Sequence, residues 1–438
     1  CNYDAPYRAA LAQVRASEAA VSEARAALLP QVGVQADLQG NHLAAATNNP
    51  IQVGGIDPNT GKPNMGQTMG RSYAQSDEGV VATQPLYRPA SLIALKQSKR
   101  QLAVAQAQLT AAQQDLIVRL AQAYFDVLTA QDKVRYLGTL RNSVSQQLAM
   151  AQRNFQIGNA NVTDSREAQA RLATTAAQQI AAANDLRIKQ LALDQLVGKT
   201  GVRPRPLAKS FDPLVPGMQR NADAWAARTA YAPAVQQARE ALEVARLEMD
   251  KAKTGNRPTL DFQASYGRQQ YPSPDPLSSI APTTGYHATL ATIGVQLTWP
   301  LFSGGAVLAR ERETLALKDK AQAQLDNALR SSTQAARTAY FNLQSGLEQV
   351  KALEIAQDSN RTALEANQLG YKVGMRTNIE VLAAQSQLYQ SRIDLTRARY
   401  DTLMGLLRLK QTAGVLKPND LALIDGWLGQ HQIASSQN

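Results

Sequence analysis

Two very long helical patterns, each folded back on itself by the same short turn, constrain this chain more than anything else in it. The clearer turn lies in Tyr371-Lys-Val-Gly374-Met-Arg376-Thr377-Asn-Ile-Glu380. Gly374 supplies the left-handed residue that ends a helix, and Thr377 caps the next one with Glu380 at capping-box spacing. The same order of aromatic, glycine, cap and carboxylate appears in Phe155-Gln-Ile-Gly158-Asn-Ala-Asn161-Val-Thr-Asp164. Gly158 and Gly374 stand 216 positions apart. A repeat of that length is a duplicated structural unit, not a short solenoid module.

Each copy reads as helix, hairpin, very long helix, turn, helix. In the first copy a helix from about Pro6 to Leu29 ends at Pro30, and Val32, Val34, Ala36 and Leu38 then alternate with polar residues as in a strand. Residues Gly40–Glu78, rich in Asn, Gly, Pro, Thr and Met, are expected to form a long exposed loop. Gly79–Tyr87 reads as a second strand, and the run from about Ala90 to Gln156 as one helix about 100 Å long. The return helix runs from about Val162 to Leu196, followed by a proline-rich connector, Gly198–Gly217.

The second copy repeats this order. A helix over about Ala222–Lys253 precedes an alternating strand at Thr259–Tyr266, a loop over roughly Gln269–Leu290, and Gly294–Phe302, which aligns with Gly79–Tyr87 without a gap. The second long helix runs to about Tyr371, its return helix to about Ala413, and a shorter helix after Pro418 precedes a tail expected to be disordered. The expected division is a first repeat at 1–217 and a second at 218–438. Strands are expected at 31–40, 79–88, 259–268 and 291–302, and barrel helices at 6–29, 89–198, 222–253 and 303–414. An equatorial connector and tail are expected at 199–221 and 415–438.

Aromatic residues make up only 5% of the chain, which favours long helices packed through small residues over a thick globular core. The net charge of +11 permits anionic partners, but the basic residues are dispersed among acidic ones without aromatic interleaving, so nucleic-acid binding is not expected. The single cysteine, Cys1, excludes an intramolecular disulfide; it is the candidate lipid-bearing residue, the plainer alternative being an incidental thiol. No apolar run reaches the length of a transmembrane helix, so any crossing of a membrane must use strands. The strands carry apolar residues on one face and Gln, Asp, Ser and Thr on the other. Such a pattern fits a membrane barrel with a wet lumen or a small soluble sandwich, and the long loops favour the barrel. Four strands are too few to close a barrel, so closure requires several copies of the chain.

Along nearly its whole length the sequence resembles the TolC family of outer-membrane export channels. The resemblance rests on Leu29-Pro30, Gly294-Val-Gln-Leu-Thr-Trp-Pro-Leu-Phe-Ser-Gly-Gly305, Phe155-Gln-Ile-Gly158 with Thr163-Asp164, and Tyr371-Lys-Val-Gly-Met-Arg-Thr377 with Val381-Leu382. It implies a mixed α/β membrane channel: a homotrimer whose twelve strands form one barrel in the outer membrane and whose twelve helices form a hollow periplasmic barrel. It further implies docking to a periplasmic adaptor and to an inner-membrane drug–proton antiporter or ABC exporter, with no cofactor.

Carried over by position, the resemblance puts the periplasmic mouth at the two turns. Asp164 would meet Arg376, with Tyr371 in the same network and Gln147 nearby. Glu380 falls at one acidic ring position of the family, where three copies would place three carboxylates around the pore; the second ring position is Ala383 here, which implies weaker cation block. The residues also admit plainer roles: Glu380 and Asp164 as capping-box acids, Arg376 as a solvated charge, Tyr371 as packing at the tip. Trp299, before Pro300 at a strand end, marks a membrane–water boundary or fills the barrel, and its position favours the boundary. His42, His287 and His431 fall in predicted loops or the tail without metal-ligand spacing, and no nucleophile or phosphate loop is present, so no enzyme is expected. A soluble coiled-coil scaffold is the alternative class; it leaves the alternating hairpins unexplained.

Overall fold

Glycine, proline and cap residues set the element boundaries. The computed structural model describes residues 3–56, 58–158, 161–206, 221–271 and 286–422, with backbone alone over 43–55, 63–73, 271 and 286. In chain order the elements are α1 (Ala5–Ala26), β1 (Gln31–Ile56), β2 (Pro63–Tyr87), α2 (Pro89–Gln156) and α3 (Val162–Val197). The second copy gives α4 (Ala222–Arg228), α5 (Pro233–Ala252), β3 (Thr259–Tyr271), β4 (Tyr286–Thr298), α6 (Ala306–Lys372) and α7 (Asn378–Thr412). Cys1, His431, most of the connector and the tail from 423 lie outside the described residues.

Three expectations change. Residues 40–56 and 63–78 are strand and not loop, because β1 and β2 pair from Gln31↔Thr83 out to Ile56↔Pro63. The ladder is built from backbone groups, so it continues through Asn-, Gly- and Thr-rich sequence that shows no two-residue period. The loop expected over Gln269–Leu290 likewise gives way at both ends to β3 and β4, so His42 and His287 lie in strands. The helix expected over Ala222–Lys253 is broken: a 3₁₀ turn over Thr229–Tyr231 leads to Ala232 in extended conformation, and Pro233 opens α5. Proline has no N–H to donate and restricts its predecessor to extended backbone, so it starts a helix readily and interrupts one.

The chain divides into two compact units. One comprises Cys1–Ser17, Arg100–Glu243 and Asp319–Asn438; the other comprises Glu18–Lys99 and Val244–Lys318.

The core of the first unit is organised on α7. Ile117, Ala121, Phe125 and Leu128 of α2 pack against Tyr400, Leu403, Met404 and Leu407. Further along, Leu137, Leu140 and Val144 of α2 and Ala168 of α3 meet Leu382 and Tyr389. Trp225 of α4 and Leu343 of α6 close over Leu406 and Leu409, while Val350 of α6 meets Leu395. Close approach of α6 and α7 depends on small residues: a Cβ added at Gly346 would lie 3.1 Å from Thr402 Oγ1.

The second unit holds one antiparallel sheet in the order β1-β2-β3-β4. Its register runs Val34↔Val80↔Tyr266↔Ala291 and Val32↔Ala82↔Ala264↔Ile293, and also pairs Phe262 with Val295 and Leu260 with Leu297. Directly paired residues share a face, so the apolar alternation is in phase across all four strands. Gln31, Gln35, Asp37, Asp77, Gln263, Ser265, Gln296 and Thr292 fall on the opposite face. At the foot of β2, Arg88 makes a bidentate bond to Asp261, Nε to Oδ1 at 2.9 Å and Nη2 to Oδ2 at 2.8 Å. The register shift between Pro85 and Tyr87 accommodates the proline, which cannot donate to the ladder.

Candidate functional site

The two turns joining the long helices to their return helices carry most of the residues singled out from the sequence. In the α6–α7 turn Gly374 has φ +78°, and the amides of Met375 and Arg376 both donate to Gly370 O, at 2.8 and 3.2 Å. These bonds satisfy carbonyls that the helix end would otherwise leave unpaired. Thr377 then forms a full capping box: its Oγ1 accepts from Glu380 N, and Glu380 Oε2 accepts from Thr377 N at 2.7 Å. The other carboxylate oxygen, Oε1, takes Arg376 Nη1 at 2.5 Å. The Thr377 amide, then the Arg376 guanidinium, hold the Glu380 carboxyl below the usual glutamate range. Arg376 reaches this position by lying over Gly370, where an added Cβ would come within 2.5 Å of Arg376 Cγ.

The α2–α3 turn is more lightly built. Gly158 has φ +76° and its amide donates to Phe155 O at 3.0 Å. Asn161 caps α3 by accepting from Thr163 N at 3.4 Å, and among the described residues Asp164 closes no capping box. The structure thus separates two residues expected to be alike: Glu380 is a capping acid and an ion-pair partner together, and Asp164 is not a capping acid. Within the chain Arg376 pairs with Glu380 and not with Asp164.

A buried amide joins the two turns. Asn378, the first residue of α7 and only 1% exposed, accepts from Gln147 Nε2 through Oδ1 at 2.5 Å and donates to the Asp164 carbonyl at 3.3 Å. Asn154 Nδ2 donates to Tyr371 OH at 3.4 Å, tying α2 to α6 two turns further on. Arg171 of α3 donates to Ser386 of α7. Within the chain Asn378 joins Gln147 to the Asp164 carbonyl, and Tyr371 is tied separately to Asn154; neither asparagine is singled out by the sequence. Their partners lie more than 200 positions away, beyond the reach of any local pattern. Ala383 is exposed and stands one turn beyond Glu380 on α7.

The sheet is the second region of interest. Val34, Leu38 and Ile293 on its apolar face are 81%, 80% and 77% exposed, and no described residue covers them. Trp299, at the end of β4, is exposed, and its Nε1 donates to Asn256 O at 3.1 Å. No described helix is long and apolar enough to cross a membrane. Among the described residues no group of three or more His, Cys, Asp or Glu is arranged to hold a metal ion.

Comparison with known proteins gives a consistent result. The family model described as "Outer membrane efflux protein" matches residues 7–199 and 229–415. The outer membrane protein TolC of Vibrio cholerae is 28% identical over 430 residues, covering 95% of this chain and 89% of TolC. The alkaline protease secretion protein AprF of Pseudomonas aeruginosa is 30% identical over 359 residues, 81% of this chain and 73% of AprF. Among solved structures, the outer membrane protein VceC of Vibrio cholerae superposes with a TM-score of 0.73 at 16% identity, covering 92% of both chains.

Proposed function

Because the chain belongs to the outer membrane efflux protein family, we propose that it is the passive outer-membrane exit duct of a tripartite export system, gated at the two helix turns. The observation that carries this reading is the in-phase sheet: one face apolar and uncovered, the other polar, with β1 and β4 as edges. A sheet of four strands with open edges is completed by further copies. Three copies give a twelve-stranded barrel with lipid against Val34, Ile293 and Leu297 and water against Gln35, Gln263 and Gln296. Trp299 then sits at the periplasmic boundary of the bilayer. The helices of the three copies form the periplasmic barrel, which receives cargo from an inner-membrane antiporter or ABC exporter through an adaptor. Relatives named for protease secretion and for efflux share this architecture, and the energy and the choice of cargo reside in the pump.

In this reading Glu380 contributes one carboxylate per copy to a ring at the mouth, partly neutralised by the Arg376 of its own chain. Gln147, Asn378, Asp164 and Tyr371 hold the turns together. Single-channel conductance in a planar bilayer tests these roles. Arg376→Ser is expected to enlarge the small resting conductance and, by freeing Glu380, to raise cation preference; Glu380→Ala is expected to lower cation preference. Conductance and selectivity unchanged by both substitutions would reduce the pair to a helix cap. A protein that gives no conductance and stays in solution without detergent would overturn the channel and leave a coiled-coil scaffold.

A further inference from the structure

Midway along α7 the apolar seam with α2 is interrupted by a buried polar layer that none of the roles above uses. Asp132 of α2 and Tyr400 of α7 are 8% and 3% exposed. Tyr400 OH donates to Asp132 Oδ2 at 3.1 Å, and Arg135 Nη2 donates to Asp132 Oδ1 at 2.5 Å. One helical turn away, Tyr136 OH and Thr396 Oγ1 are 3.3 Å apart. Going from the first pair to the second, α2 advances four residues while α7 retreats four, so both contacts report one antiparallel register. The Tyr400 ring also stacks on Phe125, centroids 5.5 Å apart and planes at 27°. Burial pushes the Asp132 carboxyl and the Tyr400 hydroxyl both upward, as expected where water is excluded.

The seam differs on the two sides of this layer. Beyond Tyr400, Leu403, Met404, Leu407 and Leu409 are almost wholly buried, and α4 and α6 back them. Toward the Gly374 turn buried apolar residues, among them Leu382, Leu388 and Leu395, are interspersed with buried Asn378, Gln385 and Ser391, and among the described residues Gln385 Oε1 has no hydrogen-bond partner. A seam whose apolar contacts are interrupted by buried polar groups, one of them unsatisfied, separates at lower cost than a continuous apolar one. A buried polar pair in a helix seam is poor at adding stability but well suited to fixing register.

We propose that the Asp132–Tyr400 layer is the fulcrum of the duct. It pins α7 to α2 in register, the segment from Leu403 onward stays docked, and the segment from Asn378 to the layer flexes to open the mouth. That arm spans 22 positions, about 33 Å at 1.5 Å per residue, so a small change of angle at the fulcrum moves Gly374 by several ångströms. Asp132 and Tyr400 are positioning residues, acting on the pore through α7. The proposal rests on the gated-channel reading.

The test uses the full-length protein in lipid and the conservative variant Tyr400→Phe, which keeps the ring stack and removes the hydroxyl, with Asp132→Asn as a second. Resting conductance is recorded, and spin-label distances between copies are measured at Met375, at the turn, and at Asp401, beyond the layer. Loss of a hydrogen bond to a charged acceptor is expected to shift the open-to-closed ratio on the order of tenfold. The distances at position 375 should broaden and those at 401 should not. Equal broadening at both positions would show general loosening and overturn the fulcrum. Wild-type behaviour of both variants, alongside a larger conductance in Arg376→Ser, would overturn the fulcrum while leaving the gate intact. No response of conductance or distances in any of the three variants would remove the gate, and the fulcrum with it.

Discussion

The return helices α3 and α7 occupy the same place in the two copies and have nearly the same length, 36 and 35 residues. Their surroundings differ sharply. α3 buries four of its residues, whereas α7 buries sixteen, because α7 lies among α2, α3, α4 and α6 and α3 has an open flank. Ile180, Ile188 and Leu191 of α3 are exposed on that flank. The two helices share the local rules of helix, turn and cap, and their positions in the chain give them different surroundings. Of these two helices α7 supplies interior, and α3 leaves an exposed apolar flank.

The largest expected effect contrasts one residue from each helix. Leu403→Ala, at a fully buried site of α7, is expected to cost about 2–5 kcal/mol in denaturant unfolding. Ile188→Ala, on the exposed flank of α3, is expected to leave the folding of a single chain within about 0.5 kcal/mol and to weaken association between copies in a sedimentation measurement. Equal costs at both sites would break the contrast between the helices.

The turns give a smaller difference. Thr377→Ala removes a complete capping box and is expected to cost about 1 kcal/mol in thermal unfolding. Asn161→Ala removes a single long bond and should cost about half as much. A larger loss at Asn161 would mean that the first turn is held by more than its cap.

The smallest effect is one of pH, and it has opposite signs at two acids. Glu380 is held below its usual range, so its contribution is present above about pH 4.3, the unfolded value, and fades as pH falls through the folded one. Asp132 is raised by burial, so its contribution is complete below about pH 3.9 and is lost as pH rises through its folded value. Acid titration of the order at position 375, by spin-label mobility, should therefore be flattened by Glu380→Gln. Stability relative to Asp132→Asn should favour the wild type increasingly as pH falls. A titration at position 375 untouched by Glu380→Gln would place the acid response elsewhere.

Much of this architecture is legible in the chain because its punctuation is local. Gly158, Gly374, Asn161 and Thr377 announce the turns, and Pro30 ends α1 within a few residues of the observed boundary. The alternation of Val32, Val34 and Leu38 identifies a strand with two unlike faces. Residues 40–56 and 63–78 were illegible because ladder bonds belong to the backbone and need no side-chain period. The break at Ala232–Pro233 was marked by its proline but outweighed by the alanine-rich helical pattern around it. Arg376 and Glu380 stand at ion-pair spacing, one turn apart, and the structure joins them within the chain. Asn378 and the Asp132–Tyr400 layer leave no local trace, since each pairs residues far apart in the chain.

The uncovered face of the sheet also bears on timing. In the proposed assembly further copies and a bilayer surround it; on its own the single chain presents two edge strands and a row of exposed Val, Ile and Leu side chains, the combination that sticks indiscriminately to other strands. On the channel reading, the interval before the barrel closes is the one in which this sheet is open to aggregation.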